Sequence, residues 1–332
     1  MEKTQAALEP PTKPMATPQE NLRKTVFSVL KIVVSAGLIF WILRGTNLAE
    51  IWFAFQAADF RLLALAFSLH IFGYMYSAFR WRLLLRSRGS DCSIVFLMIS
   101  YLVGAFFNNL LPSTIGGDVY RAYDSYRLGQ SKSSALAVVF VDRFLGLLAL
   151  MVFALLALLS SNKLTENIPY LFVWVLLGTL GMSAFVWLIF WPPKWLPGLI
   201  ANMRLPFGNK IKGIIQAFLD FEGQRTVLIK AFLWSVMLQA NVILHYYLIA
   251  LALGLPIPFL SFFLIIPLAT VITMLPISVN GIGVRENIYI FFFASFAVTK
   301  PEAIAFAWAA YGVLLLQGVM GGIIYAFRKH RD

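Results

Sequence analysis

The sequence predicts an all-α polytopic membrane protein built from two inverted-topology repeats, each with three transmembrane helices and one re-entrant hairpin. Three observations predict it. Long uninterrupted apolar runs fill the chain. The same broken-backbone motif occurs once in each half. The basic residues gather on one side of the membrane only if one apolar segment in each half turns back.

Composition sets the class. Of 332 residues, 60% are apolar and 13% are charged, against about a quarter charged in an ordinary soluble domain. Mean hydropathy is +0.79. In water such a chain would expose large apolar patches. The runs are continuous rather than alternating, which excludes a transmembrane β-barrel. Lys plus Arg number 27 and Asp plus Glu 15, a net charge of +12. In a membrane protein that excess belongs on cytoplasmic loops facing anionic lipid, so nucleic acid is not an expected partner. A single cysteine, Cys92, excludes an internal disulfide. His70, His245 and His330 lie in separate segments without ligand spacing. Neither a metal nor a cofactor is expected.

Residues 1–22 are polar and Pro-rich and are expected to form a disordered cytoplasmic tail. Arg23 and Lys24 place the N-terminus inside. Apolar segments follow at 25–43, 62–79, 94–111, 135–159, 170–190, 227–253, 258–276, 287–298 and 303–327. The segment 287–298 is too short to cross. The first repeat is expected over 23–165 and the second over 166–332. The longest loop, 191–226, carries Ile211, Ile214, Ile215 and Phe218 at helical spacing, against Lys210, Lys212 and Asp220. That pattern predicts an amphipathic helix on the membrane surface, with Trp191 and Trp195 as interface anchors.

The repeat is carried by Leu111-Pro112-Ser-Thr-Ile-Gly116-Gly117-Asp118-Val-Tyr-Arg121 and Leu275-Pro276-Ile-Ser-Val-Asn280-Gly281-Ile-Gly283-Val-Arg285. Both read Leu-Pro, four residues, Gly, three residues, Arg, at an offset of 164. If every run of about 18 residues or more crossed, the inside and outside segments would carry 12 and 11 basic residues, which is no bias. If 94–111 and 258–276 enter and return on one side, the counts become 19 and 4. The positive-inside rule selects the second arrangement, with both termini cytoplasmic. Three crossings per half then invert the second half relative to the first, a known transporter architecture.

Broken backbone at membrane depth is tolerated only inside protein or beside a watery cavity. Pro112 and Pro276 interrupt the entering helices, and Gly116, Gly117, Gly281 and Gly283 permit the turn. A helix starting after each Gly pair presents free N–H groups and a positive dipole end. Arg121 and Arg285 fall about one turn into these helices, where a guanidinium can grip a phosphate through two hydrogen bonds. The other reading is structural: the arginines reach the interface or pair locally, as Arg121 can with Asp118. Asp142 and Arg143 lie inside an apolar run, where each costs roughly 2.5–3.5 kcal/mol at a helix centre. Their expected partners are Arg121 for Asp142 and Asp118 for Arg143, as a gating network or as a static brace.

Asn108, Asn109, Ser278 and Asn280 either line a polar path or satisfy the broken backbone, and the backbone role is favoured for them. Ser113 and Asn280 are kept as substrate-binding candidates beside the glycines and arginines. Glu286 is placed in the charge network, where it can neutralise Arg285. His245, Asn241 and Gln317 read as interhelical hydrogen bonds. Arg80, Arg82, Arg86 and Arg88 read first as a topology determinant and second as an attractor of anionic head groups. No G-x-S-x-G, P-loop or H-E-x-x-H motif is present.

The strings Asn109–Arg121, Val141-Asp142-Arg143-Phe-Leu-Gly146-Leu and Leu275–Glu286 resemble the lysylphosphatidylglycerol synthase transmembrane (flippase-like) family, which includes the membrane half of the multiple peptide resistance factor. The resemblance spans about residues 25–328. It implies a prokaryotic inner-membrane protein that moves a lipid head group between leaflets. The synthase domain that follows in full-length resistance factors is not expected here, so the resemblance does not imply lipid aminoacylation. The expected function is translocation of a phosphate-bearing lipid, either a phospholipid or a polyprenyl-phosphate-linked lipid, by a transporter rather than an enzyme. Two alternatives stay open: a membrane enzyme or enzyme partner modifying such a lipid, and a scaffold for lipid-modifying enzymes. A homo-oligomer and a lipid-modifying enzyme are the protein partners kept open.

Overall fold

The computed structural model describes residues 48–110, 116–160, 170–191, 223–275 and 277–328, with residues 26, 29, 33, 40, 217, 220 and 221. The 1–22 tail, Pro112, Ser113, Pro276, Trp195 and the predicted surface helix at Ile211, Ile214, Ile215 and Phe218 lie outside the described residues. So does most of the 25–43 segment.

The chain is an all-α, multi-span membrane protein. Among the described residues, five helices are long and apolar enough to cross: α2 (Phe60–Arg86), α5 (Lys132–Ser160), α6 (Leu171–Phe190), α7 (Arg225–Ala252) and α10 (Lys300–Phe327). Between them lie α1 (Leu48–Gln56), α3 (Ile94–Leu110), α4 (Gly116–Arg127), α8 (Phe259–Met274) and α9 (Val284–Phe293). At 1.5 Å per residue α3 and α8 are about 26 and 24 Å long, short of a hydrocarbon core of about 30 Å. The order long, short, short, long therefore occurs twice, in α2–α5 and in α7–α10.

Local chemistry sets the ends. The Asp59 carboxylate accepts from the Arg61 and Leu62 N–H groups at 2.8 and 3.4 Å and caps α2. Glu302 reaches back to the Thr299 N–H at 2.7 Å and caps α10, with Pro301 in its first turn. At the far end of α2, Arg82 and Arg86 bond Asp91 in the following loop. The hydrogen bond from Arg82 leads the effects that hold this carboxyl below the usual carboxylate range. The contribution of this clasp is present at neutral pH and is lost as pH falls through the depressed pKa.

The pair α2 and α7 packs along most of its length and forms the centre. Helix α10 covers α3, and α5 covers α8. Helix α6 leans on α5, and α1 leans on α10. One apolar cluster joins Phe262, Ile265, Phe293 and Phe306 to Ile243 and Ile249 of α7. A second joins Trp81 and Leu84 of α2 to Val138 and Leu145 of α5 and to Phe221.

In lipid, helices associate through close packing rather than through the hydrophobic effect. The α3–α10 contact depends on this. A Cβ at Gly321 would run into the Leu102 carbonyl, and one at Gly322 would meet the Phe106 ring. Gly312, on the same helix, has open space around it. Gly321→Leu is expected to lower the unfolding free energy by about 1–3 kcal/mol or more. Gly312→Ala is expected to leave it unchanged. Unfolding midpoints in detergent micelles check the contrast.

Candidate functional site

Helix α5 carries Asp142 into the bundle, where the residue is 1% exposed. A carboxylate there must find cations and donors. Arg80 of α2 donates from Nε to one oxygen at 2.5 Å. Arg121 of α4 donates from Nη2 to the other at 2.7 Å, and the Tyr101 hydroxyl of α3 donates to that oxygen at 3.0 Å. Four helices therefore meet on one side chain. Arg80 also donates from Nη1 to Ser235 of α7 at 2.8 Å, which ties in a fifth.

The Arg121 guanidinium lies over the rings of Tyr101 and Trp81, at 4.0 and 4.5 Å from their centroids. Its Nη1 lies 3.5 Å from Asp118, and Asp118 pairs with Arg143. Both pairings expected from the sequence, Arg121 with Asp142 and Arg143 with Asp118, are present. Among the described residues the cluster joins three cations (Arg80, Arg121, Arg143) to two carboxylates (Asp118, Asp142). The Arg121 Nε has no hydrogen-bond partner among the described residues.

An N–H at the start of α4 is met by a side chain of α3. Asn108 accepts from the Gly117 N–H at 2.7 Å, the backbone role expected for it. Asn109 donates to the Leu314 carbonyl at 3.0 Å and ties α3 to α10. Gly116 and Gly117 are buried, and a Cβ on Gly117 would sit 2.6 Å from the Gly104 carbonyl oxygen.

The second half is built differently. Asn280, Gly281 and Gly283 all take positive φ, at 51°, 74° and 83°. The Glu286 carboxylate turns back to accept from the Gly283 N–H at 2.7 Å and is buried there as the α9 cap. It makes no ion pair with Arg285. Arg285 donates from Nη2 to the Asn280 carbonyl at 3.0 Å and lies 4.6 Å from the Tyr311 ring centroid. Its Nη1 and the Asn280 Oδ1 are buried without hydrogen-bond partners. Ser278 is buried nearby in sequence.

Charge density along α2 misplaces one residue. Arg82, Arg86 and Arg88 do form a basic cluster, paired with Asp91 and Asp220. Arg80 does not belong to it; it is 4% exposed and faces the core. The available signal was helical phase: Ser77, Trp81, Leu84 and Leu85 share the buried face with Arg80. Tyr101 and Ser235 were missed because each lies singly in an apolar run.

The interhelical roles expected for three polar residues are observed. His245 Nδ1 lies 2.8 Å from the Ala66 carbonyl, and its Nε2 lies 3.3 Å from His70 Nε2. Asn241 donates to the Leu69 carbonyl at 3.0 Å. Gln317 accepts from the Tyr74 hydroxyl at 2.8 Å. These groups surround a chamber of about 250 Å³ between α2, α3, α7 and α10.

Fold and site define a multi-span helical membrane protein with a charge cluster held in its interior. The chain belongs to the family described as the lysylphosphatidylglycerol synthase TM region, whose model matches residues 28–321. That span includes every element of the site. A UPF0104 membrane protein of Pyrococcus horikoshii is 24% identical over 299 residues, covering 83% of this chain and 89% of the relative. Two UPF0104 membrane proteins of Methanothermobacter thermautotrophicus are each 25% identical. One alignment covers 85% of this chain and 88% of the relative. The other covers 92% and 95%.

Removing one member of a buried ion pair strands the other. Asp142→Asn is expected to lower the unfolding free energy by about 3–5 kcal/mol. Arg143→Gln, in a partly exposed pair, is expected to cost about 1 kcal/mol or less. Denaturant titration followed by tryptophan fluorescence separates them.

Proposed function

We propose that this protein is a lipid carrier of the prokaryotic inner membrane that moves a phosphate-bearing lipid between leaflets, with both termini cytoplasmic. Arg121 and Arg285 bind the phosphate, with Gly116, Gly117, Gly281 and Gly283 letting the backbone approach and Ser113 and Asn280 beside them; the Gly117 and Gly283 N–H groups are already taken by Asn108 and Glu286, so the guanidiniums carry the binding. Asp118, Asp142 and Arg143 form the charge network that gates the first site. Glu286 stands beside the second.

One observation carries the reading. Arg285 makes no ion pair among the described residues, and its Nη1 is buried without a hydrogen-bond partner. A guanidinium held in a membrane protein without a counter-ion is a standing electrostatic cost. An arriving phosphate removes that cost and takes two parallel hydrogen bonds. The family supplies the lipid context. The head group travels through the polar interior while the tails remain in hydrocarbon.

The carrier is two inverted repeats, 23–165 and 166–332, with re-entrant hairpins α3–α4 and α8–α9. Several features support this. Helices α2 and α3 map onto α7 and α8 at an offset of 165. The Leu-Pro motifs that lead into α4 and α9 map onto each other at an offset of 164, and α5 maps onto α10 at an offset of 168. The packing crosses over: α10 holds α3, and α5 holds α8. At the α2–α7 centre, the Arg80–Ser235 contact maps onto the His245–His70 contact at an offset of 165 for both members.

Proteoliposomes carrying labelled phosphatidylglycerol or a labelled polyprenyl phosphate test the reading by leaflet exchange. The protein is expected to accelerate exchange of at least one, with the lipid chemically unchanged by mass spectrometry. Arg285→Gln is expected to reduce exchange about tenfold or more, with an unchanged unfolding midpoint. Unchanged exchange in that variant removes Arg285 from the mechanism. An altered lipid product favours an enzyme.

A further inference from the structure

The chamber between α2, α3, α7 and α10 does not end at its polar wall. His70, Tyr74 and Gln317 also line a second cavity of about 350 Å³. The rest of that cavity is apolar and is bounded by side chains of α2, α3 and α10 such as Ile71, Val95 and Met320. These three are exposed on the outer face of the bundle, so the groove opens sideways into hydrocarbon. A polar chamber thus continues into an apolar groove with a lateral mouth, which is the shape of a head group joined to a chain.

The chemistry of the wall narrows the head group. Among the described residues, no Lys, Arg, Asp or Glu lines either cavity. The contact between the two histidines is one that neutral rings make. His245 donates from Nδ1 to the Ala66 carbonyl, which leaves its Nε2 to accept from His70. Gln317 is 3% exposed. Its Oε1 is taken by the Tyr74 hydroxyl, while its Nε2 has no partner. A buried amide donor aimed into a cavity calls for an acceptor. An anion placed there would have no counter-ion, whereas a hydroxyl both accepts and donates. The charge cluster lies one ring away, because Tyr101 lines the chamber and carries Arg121 over its face.

We infer that chamber and groove form one lipid site, in which an uncharged, hydroxyl-bearing part of the head group accepts from Gln317 Nε2 and one hydrocarbon chain lies in the groove. The inference deepens the carrier reading, and rests on it only for transport. It narrows the substrate to lipids whose heads carry free hydroxyls, glycerol-like or sugar-like. The phosphate stays with the guanidiniums and the hydroxyls enter the neutral chamber.

Photo-crosslinking in phosphatidylcholine nanodiscs tests it. The probes are an alkyl glucoside, an alkyl glycerol ether and an alkyl phosphate, each with a diazirine in the chain. At least one hydroxylated probe is expected to label α3 or α10 about fivefold more than the alkyl phosphate does. Which of the two labels more strongly distinguishes sugar from glycerol. Gln317→Leu is expected to cut that labelling about fivefold. Ile71→Trp, at an exposed position on the groove wall, is expected to block it without disturbing the core. Equal labelling by the alkyl phosphate overturns the inference, and so does labelling that survives either variant. Head-selective labelling without leaflet exchange leaves the site standing and removes the carrier reading.

Discussion

A carboxylate buried in a membrane-crossing helix is the constraint around which the first half is arranged. Asp142 cannot reach water, so its charge is met by two guanidiniums and a phenol drawn from three other helices. Each donor fixes one element. Arg80 sets the rotation of α2, Tyr101 sets α3, and Arg121 sets the start of α4. Arg80 passes the constraint on to α7 through Ser235. Lipid offers no hydrophobic drive between helices, so this polar centre and the glycine contacts of α3 with α4 and α10 hold the arrangement.

Among the described residues the second half has no such centre. On the proposed repeat, Asp142 falls opposite Ala310 and Arg143 opposite Tyr311. Arg285 therefore meets an aromatic face where Arg121 meets a carboxylate as well. Glu286, the one carboxylate beside it in sequence, is committed to the Gly283 N–H. Arg121 is thus held by ion pairs, whereas Arg285 makes none among the described residues.

Much of this was legible in the chain because membrane proteins write their class in composition. The long apolar runs and the two Leu-Pro motifs gave the element order. The cost of a charge in an apolar run pointed to Asp142 and to its pairing with Arg121. The rest depended on three-dimensional phase. Arg80 sits among surface arginines in the sequence, yet its helical face is that of Ser77 and Leu84. Tyr101 is one aromatic in a run of apolar residues, and nothing local marks its hydroxyl as a ligand of Asp142. The chamber arises only when α2 and α7 cross and place His70 beside His245, 175 residues apart. Glu286 was read as a neutraliser of Arg285 because sequence adjacency suggests it, whereas a helix start offers the carboxylate a nearer donor.

Opposed entry of the two hairpins is what the proposed carrier requires, and the sidedness of the loops where they leave the membrane measures it directly. Single cysteines at Ser131→Cys and Ser295→Cys, introduced in a Cys92→Ser background, would be labelled with a membrane-impermeant maleimide in right-side-out and inverted vesicles. Ser131 follows α4 and Ser295 follows α9, and both are exposed. Labelling of Ser131→Cys only in inverted vesicles and of Ser295→Cys only in right-side-out vesicles is the predicted result. Labelling of both from the same side would contradict the inverted architecture.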